Sequence, residues 1–238
     1  MNYQNIFKRY ELKYLLTEVQ QERLLKEMEP HMAMDAHGQS TIRNIYYDTE
    51  NYRLIRRSME RPAYKEKLRV RSYGAAAADE NVFVELKKKY QSVVYKRRTA
   101  MPETLAKSWL SGSFSPDAGQ IGREIEYFRD YYCSLRPVLF LSYEREAFCC
   151  TDGGDFRMTF DRNILCRQEE LSLSAGAWGA PILSGGLVLL EVKTSGAIPL
   201  WLTHFLSREQ CHKTSFSKYG KAYQNIIYPK LEGGLLYA

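Results

Sequence analysis

Basic side chains recur at every second position of one short segment. In Tyr64-Lys-Glu-Lys-Leu-Arg-Val-Arg71 the cations are Lys65, Lys67, Arg69 and Arg71. Because side chains of a strand alternate between its two faces, this spacing places all four cations on one face, about 7 Å apart. Like charges at that distance repel by about 0.6 kcal/mol in water and about 2.4 kcal/mol at an effective dielectric constant of 20. Such a row must face open water, meet carboxylates or bind an anion.

Other segments place further cations, and a few isolated carboxylates, on one face of a strand. The alternating polar positions are Arg9, Glu11 and Lys13; Glu85, Lys87 and Lys89; Lys96 and Arg98; Tyr143 and Arg145; Arg157, Thr159 and Asp161; and Glu191 and Lys193. The opposite faces are apolar, as in Leu68 and Val70. For any single strand, a solvated outer face is the simplest interpretation. Several such strands together favour a barrel in which the charged faces converge on a hydrated, basic tunnel.

The elements that would position these residues follow from hydrophobic periodicity. Period-2 patterning predicts eight strands, enough to close a barrel, at 7–14, 41–47, 63–73, 82–89, 92–99, 137–148, 156–161 and 187–194. Helices are predicted at 18–29, capped by Thr17, and at 51–59, 102–110, 119–134, 198–208 and 216–228. The predicted fold class is α+β, an eight-stranded barrel with helices outside it, in a single domain spanning residues 1–238.

Charge and composition restrict the class of partner and the compartment. Residues 53–98 contain 14 of the 34 basic side chains but only 5 of the 28 acidic ones, which points to a phosphate-rich or nucleic-acid partner. The five cysteines show no disulfide or zinc spacing, and residues 1–14 have no apolar signal region. Residues 171–190 are uncharged but contain four glycines and Pro181, so we predict a loop and strand in a cytoplasmic protein, with no transmembrane segment.

Eight short motifs, in this order along the chain, resemble those of the VTC domain. This is the polyphosphate polymerase domain of the vacuolar transporter chaperone complex, in the CYTH-like triphosphate tunnel metalloenzyme superfamily. The motifs are Arg9-Tyr-Glu-Leu-Lys-Tyr14, Ile42-Arg-Asn-Ile-Tyr-Tyr-Asp-Thr49, Tyr64-Lys-Glu-Lys-Leu-Arg-Val-Arg-Ser-Tyr-Gly74, Val82-Phe-Val-Glu-Leu-Lys-Lys-Lys89, Tyr143-Glu-Arg-Glu-Ala-Phe148, Phe156-Arg-Met-Thr-Phe-Asp161, Leu190-Glu-Val-Lys193 and Phe216-Ser-Lys-Tyr219. The resemblance spans residues 6–226.

The resemblance implies an eight-stranded antiparallel tunnel in which ATP donates its γ-phosphoryl group to a growing polyphosphate chain. The implied phosphate-contacting, catalytic residues are Lys13, Lys67, Arg69, Arg71, Arg145, Arg157 and Lys218. Further implied tunnel lining is Lys65, Lys87, Lys96, Arg98 and Lys213, the last in place of a family lysine where this chain has Ser215. The implied ligand of Mn²⁺ or Mg²⁺ is Glu191, with Glu11 and Glu85 as further candidates. The implied partners are ATP and inorganic polyphosphate or triphosphate.

Three alternatives to the polymerase remain open at this point. A metal-dependent triphosphatase is disfavoured because Arg9 stands where hydrolytic relatives have the first of two alternating glutamates. A non-catalytic module that binds polyphosphate or inositol phosphates would need the cations but not Glu191 as a metal ligand. A nucleic-acid binder would use Tyr64, Tyr73 and other nearby tyrosines, but the cations lie opposite an apolar face rather than among exposed aromatic rings, so no nucleic-acid partner is expected.

Overall fold

Eight strands form a closed antiparallel barrel in the computed structural model, which describes residues 6–235. The strands are β1 (Ile6–Thr17), β2 (Met32–Asp48), β3 (Tyr64–Tyr73), β4 (Asn81–Tyr90), β5 (Val93–Pro102), β6 (Arg136–Cys150), β7 (Arg157–Arg167), the two-residue β8 (Ala180–Pro181) and β9 (Leu187–Thr194). Around the barrel the order is β1-β5-β4-β3-β2-β6-β7-β9, and β9 pairs with β1 to close it. β8 lies outside this ring and pairs with β7.

Helices surround the barrel. They are α1 (Glu18–Met28), α2 (Arg53–Met59), α3 (Glu103–Leu110), α4 (Gly119–Tyr132), α5 (Leu200–Arg208), α6 (Lys218–Ala222) and α7 (Tyr228–Leu235), with a π-helical turn (Tyr223–Ile227) joining the last two. The prediction of an eight-stranded barrel with helices outside is confirmed. None of the described helices is long and apolar enough to cross a membrane.

The apolar faces of the strands pack outward against these helices. Leu68 of β3 and Val84 of β4 share a buried cluster with Trp109 of α3 and Ile125 of α4. On the other side, β7 and β9 pack against α1 and α5 through a cluster that includes Phe160, Leu190, Leu24 and Phe205. Because burying such a side chain contributes about 1.5–3 kcal/mol, the outward packing offsets the cost of gathering charges on the inner faces.

One part of the barrel interior is apolar and is covered by the C-terminal helical segment. Along β6, Leu139 and Leu141 share the inner face with Tyr143 and Arg145. These leucines and Tyr143 pack with aromatic and aliphatic side chains of α6 and the π-helical turn, including Tyr219 and Ile227. The interior is therefore divided into an apolar part next to this segment and a charged part.

Three elements have boundaries that differ clearly from those predicted, and one of them is β7, which ends at Arg167 rather than at residue 161. Strand β2 begins at Met32 rather than at residue 41, and pairs with β6 along most of its length, with an irregularity between Met34 and Gln39. Gly38 lies in that irregularity with φ +50°. The irregularity interrupts the period-2 alternation of apolar and polar residues that would indicate a strand. The C-terminal helix predicted at 216–228 begins at Lys218 and continues to Leu235.

Candidate functional site

The fully buried carboxylate of Glu85 neutralises cations from three positions on β3 and β5. Its Oε2 lies 2.7 Å from Nη2 of Arg69 and 3.9 Å from Nε of Arg71, and its Oε1 lies 3.1 Å from Nζ of Lys96. Burial alone would raise the pKa of Glu85, but the charges of Arg71, Arg69 and Lys96 bring it well below its ordinary value. Three of the predicted phosphate-binding cations thus share one internal counter-anion.

A second carboxylate, Glu191 of β9, contacts four cations. Its Oε1 lies 3.0 Å from Nζ of Lys13 and 2.9 Å from Nζ of Lys218. Its Oε2 lies 3.2 Å from both Nη2 of Arg145 and Nζ of Lys193. Burial alone would raise the pKa of Glu191, but Lys13, Lys218 and the other two cations bring it well below its ordinary value.

Asp161 of β7 extends this network on the other side of Arg145. The Arg145 guanidinium donates to both carboxylate oxygens of Asp161, from Nε at 2.6 Å and from Nη2 at 2.7 Å. Lys218 also donates to Asp161. Burial alone would lower the pKa of Lys218, but the charges of Asp161 and Glu191 raise it. Arg145 and Lys218 are therefore held as charged groups between two carboxylates.

These surroundings do not fit a resident divalent cation at Glu191. Mn²⁺ and Mg²⁺ need oxygen ligands with available lone pairs and a net negative or neutral surrounding. Both oxygens of Glu191 already accept from cations at 2.9–3.2 Å. Among the described residues, no three His, Cys, Asp or Glu side chains form a metal-binding group. Glu11 contacts Lys87 at 2.7 Å, and Glu85 is surrounded as described above. Metal binding by Glu191, Glu11 or Glu85 therefore stays a prediction, and the contacts of these carboxylates do not support it.

Five lysines of β1, β3 and β4 lie close together on the inner face and form what we call the lysine cluster. Its members are Lys13, Lys65, Lys67, Lys87 and Lys89. Lys65 is directly opposite Lys89, and Lys67 is directly opposite Lys87, which also faces Lys96 of β5. Like charges opposite one another destabilise a sheet. The only carboxylates in ion-pair contact with the cluster, within the described chain, are Glu11 and Glu191, so positive charge is in excess.

Lys67 is a member of the lysine cluster that has only neutral contacts among the described residues. Its Nζ donates to the neutral hydroxyl of Ser217 at 2.8 Å and lies 5.8 Å from the centre of the Tyr219 ring. No carboxylate of the described residues lies within ion-pair distance of it. Burial, and then the charges of Lys13 and Lys87, hold the pKa of Lys67 well below its ordinary value. A half-buried ammonium group in this position is an energetic cost that an anionic ligand would relieve.

The remaining predicted residues lie around the network. Lys65 donates to the backbone oxygen of Ser58 at 3.5 Å, and the Arg98 guanidinium lies 4.6 Å from the Phe83 ring centre. Arg157 is exposed at the start of β7, directly opposite Lys193. Lys213 is exposed in the segment before α6 and is paired through its backbone with Tyr14. Most of the predicted cations therefore lie close together inside the barrel, while Arg157 and Lys213 lie at the margin of the ion-pair network.

The sequence analysis placed Asp161, Lys193 and Tyr143 on the charged strand faces without assigning them a phosphate or metal contact, and it gave no role to Asn44. The signal that could have identified Asp161 and Lys193 as part of the site is their position in the alternating charged pattern of β7 and β9. The Asn44 side chain accepts from Nε of Arg71 at 2.9 Å, and the Tyr143 hydroxyl accepts from Nη2 of Arg71 at 2.9 Å. A lone amide in an apolar strand, such as Asn44, gives no comparable signal.

The start of α6 is held in the tunnel by a buried carboxylate of β2. Asp48 accepts hydrogen bonds from the backbone of Leu54 (2.9 Å) and Ile55 (3.0 Å) in α2, and from the Tyr219 hydroxyl (2.8 Å). The Tyr219 ring stacks on Tyr46, with 4.7 Å between ring centres. This contact fixes the segment that places Ser217 and Lys218 beside the other cations.

Comparisons with known proteins agree with this architecture. A family model described as the VTC domain matches residues 8–227. Among solved structures, a Bacillus halodurans protein described as an adenylate cyclase is similar, with a TM-score of 0.57 and 14% identity, over 94% of this chain and 100% of that one. A Hippeastrum protein, described as an adenylyl cyclase with a dominant triphosphatase activity, gives a TM-score of 0.56 and 14% identity, over 91% and 95% of the two chains. None of the curated proteins matches the sequence significantly.

Proposed function

We propose, from the premise that this chain belongs to the VTC domain family, that its tunnel binds the triphosphate of ATP and transfers the γ-phosphoryl group to inorganic polyphosphate. The match of the family model to residues 8–227 confirms the resemblance that the sequence motifs indicated. The observation that carries the proposal is the lysine cluster, in which half-buried lysines face one another with too few carboxylates to neutralise them.

A linear polyphosphate suits this arrangement because each phosphate brings negative charge, shared by its non-bridging oxygens, to closely spaced cations. Lys67, Lys87 and their neighbours would exchange mutual repulsion for contacts with phosphate oxygens. Arg69 and Arg71 present guanidinium groups, which can donate two parallel hydrogen bonds to one phosphate. Their present partner, Glu85, holds them in position before the ligand arrives.

The proposed step breaks the bond between the γ-phosphorus and the oxygen that bridges it to the β-phosphate. A terminal oxygen of the polyphosphate chain forms the new bond to phosphorus, and ADP leaves with the bridging oxygen. The attacking oxygen is already ionised, so no protein base has to remove a proton. Fixed cations lower the barrier by neutralising charge on the transferring group and on the leaving phosphate.

Hydrolysis of triphosphate is the second candidate function. It would require a base, or another activating group, to prepare a water molecule for attack. Each inner-face carboxylate described above is paired with cations, and Lys87 lowers the pKa of Glu11 to about 2 although burial alone would raise it. A carboxylate with so low a pKa is a weak base. This favours transfer to polyphosphate over transfer to water.

A labelling experiment tests the proposal. Purified protein is incubated with γ-labelled ATP and a short polyphosphate primer, with and without Mg²⁺ or Mn²⁺, and the products are separated on a gel. Label in lengthened polyphosphate supports the proposal. Label only in inorganic phosphate identifies a triphosphatase, and tripolyphosphate binding without loss of ATP identifies a binding module.

A pair of lysine variants tests whether the anionic ligand binds at the lysine cluster. Lys67→Met should weaken tripolyphosphate binding by roughly tenfold or more, the effect of losing one charge-assisted hydrogen bond. The matched control is Lys88→Met on the outer face of the same sheet, where Lys88 lies 3.8 Å from Glu124 of α4. Equal losses in both variants would contradict the placement of the ligand.

A further inference from the structure

A cavity of about 490 Å³ lies at one end of the barrel, apart from the ion-pair network. It is bounded by residues 30–32 before and at the start of β2, by the β6–β7 hairpin around residues 150–156, and by the β9–α5 loop around residues 194–201. Pockets for small organic ligands have volumes of roughly 300–1,000 Å³. The cavity can therefore hold a ring system of the size of a nucleoside.

Aromatic side chains form part of the cavity wall. The indole of Trp201 stacks on the imidazole of His31, with 4.9 Å between ring centres and an angle of 10° between the rings. Phe156 meets Trp201 edge-on, with 6.4 Å between ring centres. Nucleobases stack on aromatic side chains of this kind, because every base offers a flat π-face.

The charged side chains of the cavity wall are carboxylates. Asp152 accepts from the backbone N–H of Gly154 at 2.9 Å, and Asp155 accepts from the backbone N–H of Ser195 at 3.0 Å, which fixes both groups. Within residues 6–235, no lysine or arginine contributes to the wall. Such a wall repels phosphate but can accept hydrogen bonds from the amino group of a base. A phosphorylated ligand would thus keep its phosphates elsewhere.

Cations of the barrel interior are adjacent in sequence to residues of the cavity wall. Phe156 and Thr194 belong to the cavity wall, and the adjacent residues Arg157 and Lys193 lie directly opposite each other on the inner face of β7 and β9. Lys193 contacts Glu191 at 3.2 Å within the network. At this end of the barrel, β7 and β9 thus each carry a residue of the cavity wall next to a cation of the inner face.

We infer that this cavity binds the purine ring of a nucleoside triphosphate whose phosphates occupy the tunnel. The inference rests on the proposed function and extends it, because it assigns the recognition of the donor to a site outside the barrel wall. Tripolyphosphate, which has no base, uses the tunnel alone. ATP uses both surfaces and binds more tightly than tripolyphosphate.

Calorimetric titrations of the full chain with ATP, UTP and tripolyphosphate, at constant ionic strength, test this inference. Trp201→Leu removes the stacking surface, and Ala197→Trp fills the cavity from an exposed position in its wall. The control is Tyr127→Leu, an aromatic residue on α4 that is 73% exposed and lies outside the cavity. We expect both cavity variants to bind ATP about tenfold more weakly and tripolyphosphate as the wild type does, since the base loses its stacking surface or its space while the tunnel is unchanged.

The outcomes separate this inference from the proposed function. If the wild type binds tripolyphosphate but ATP no more tightly, or if the cavity variants leave ATP affinity unchanged, the purine site is wrong and the tunnel function stands. If UTP binds as tightly as ATP, the preference for a purine is wrong. If the wild type binds neither ATP nor tripolyphosphate, the proposed function itself fails.

Discussion

At the scale of single residues, Glu191 illustrates how surroundings decide the role of a carboxylate. The sequence and the family resemblance suggest a metal ligand, but contacts with four cations make it an internal counter-anion. Whether a carboxylate meets a metal or lysines depends on the register of strands far apart in the chain. That register is not visible in the period-2 pattern that revealed Lys67, Arg69 and Arg71.

The variant Glu191→Gln tests this counter-anion role. Removing one partner from a buried ion pair costs about 3–5 kcal/mol, because uncompensated charges stay behind. We expect a clearly lower melting temperature without ligand, largely restored by tripolyphosphate, whose charge replaces that of Glu191. Glu124→Gln, which alters an outer-face ion pair with Arg97 and Lys88, is the control and should change little. Mn²⁺ alone stabilising the wild type but not Glu191→Gln would instead identify a metal ligand.

Proton uptake should accompany anion binding at Lys67. Burial, and then the charges of Lys13 and Lys87, lower its pKa, so the folded chain holds fewer protons there than the unfolded chain. The contribution of Lys67 to the free energy of unfolding therefore rises with pH between the lowered pKa and its ordinary value of about 10.4. An anion raises that pKa again and draws a proton from solution.

Calorimetry in two buffers of different ionisation enthalpy measures this uptake. With tripolyphosphate in that pH range, the wild type should bind more protons than Lys67→Met, and its affinity should fall as pH rises. Lys88→Met should match the wild type. Equal proton uptake in all three proteins would show that Lys67 does not titrate with ligand binding.

At the scale of elements, the C-terminal helical segment is tied to the barrel by one hydrogen bond that can be removed cleanly. Tyr219→Phe keeps the stacking on Tyr46 but removes the hydroxyl that donates to Asp48. We expect a loss of about 1.5–3 kcal/mol in the free energy of unfolding, as for hydrogen bonds to charged groups. Tripolyphosphate affinity should also fall, because Ser217 and Lys218 are less firmly placed.

Urea unfolding and tripolyphosphate titration measure both effects. The control is Tyr223→Phe in the π-helical turn, whose ring packs against Tyr52 at 5.6 Å between centres. A drop in stability with unchanged ligand affinity would mean that the helix covers the barrel without positioning its cations.

Elements were predictable where one face was consistently apolar. Strands β3, β4 and β9 satisfy this condition, and their predicted bounds are close to those observed. The first half of β2 does not, because Asp35, Gly38 and Gln39 interrupt its alternation and pairing with β6 alone holds it in the sheet. The short β8 depends likewise on a distant contact, its pairing with Leu165 and Cys166 of β7.

At the scale of the whole molecule, an enclosed excess of positive charge predicts strong stabilisation by a slender polyanion. Tripolyphosphate at a hundredfold excess over its dissociation constant should add about 2.7 kcal/mol, which raises the melting temperature of a chain of this size by roughly 5–10 °C. Duplex DNA at the same phosphate concentration should have little effect, because a double helix is too wide to reach cations inside the barrel. Equal stabilisation by both would favour the nucleic-acid alternative.

The closure of the barrel also has a consequence for how the chain folds. Strand β1 pairs with β5 on one side and with β9 on the other, where Tyr10 is opposite Thr194. Because β9 comes after all the other strands of the ring in the sequence, the ring cannot close during synthesis until Thr194 has left the ribosome. Contacts between such distant segments are slow to form. Until then the lysine cluster remains hydrated, so closing the ring adds a desolvation cost to the repulsion between lysines that already face each other on β3 and β4.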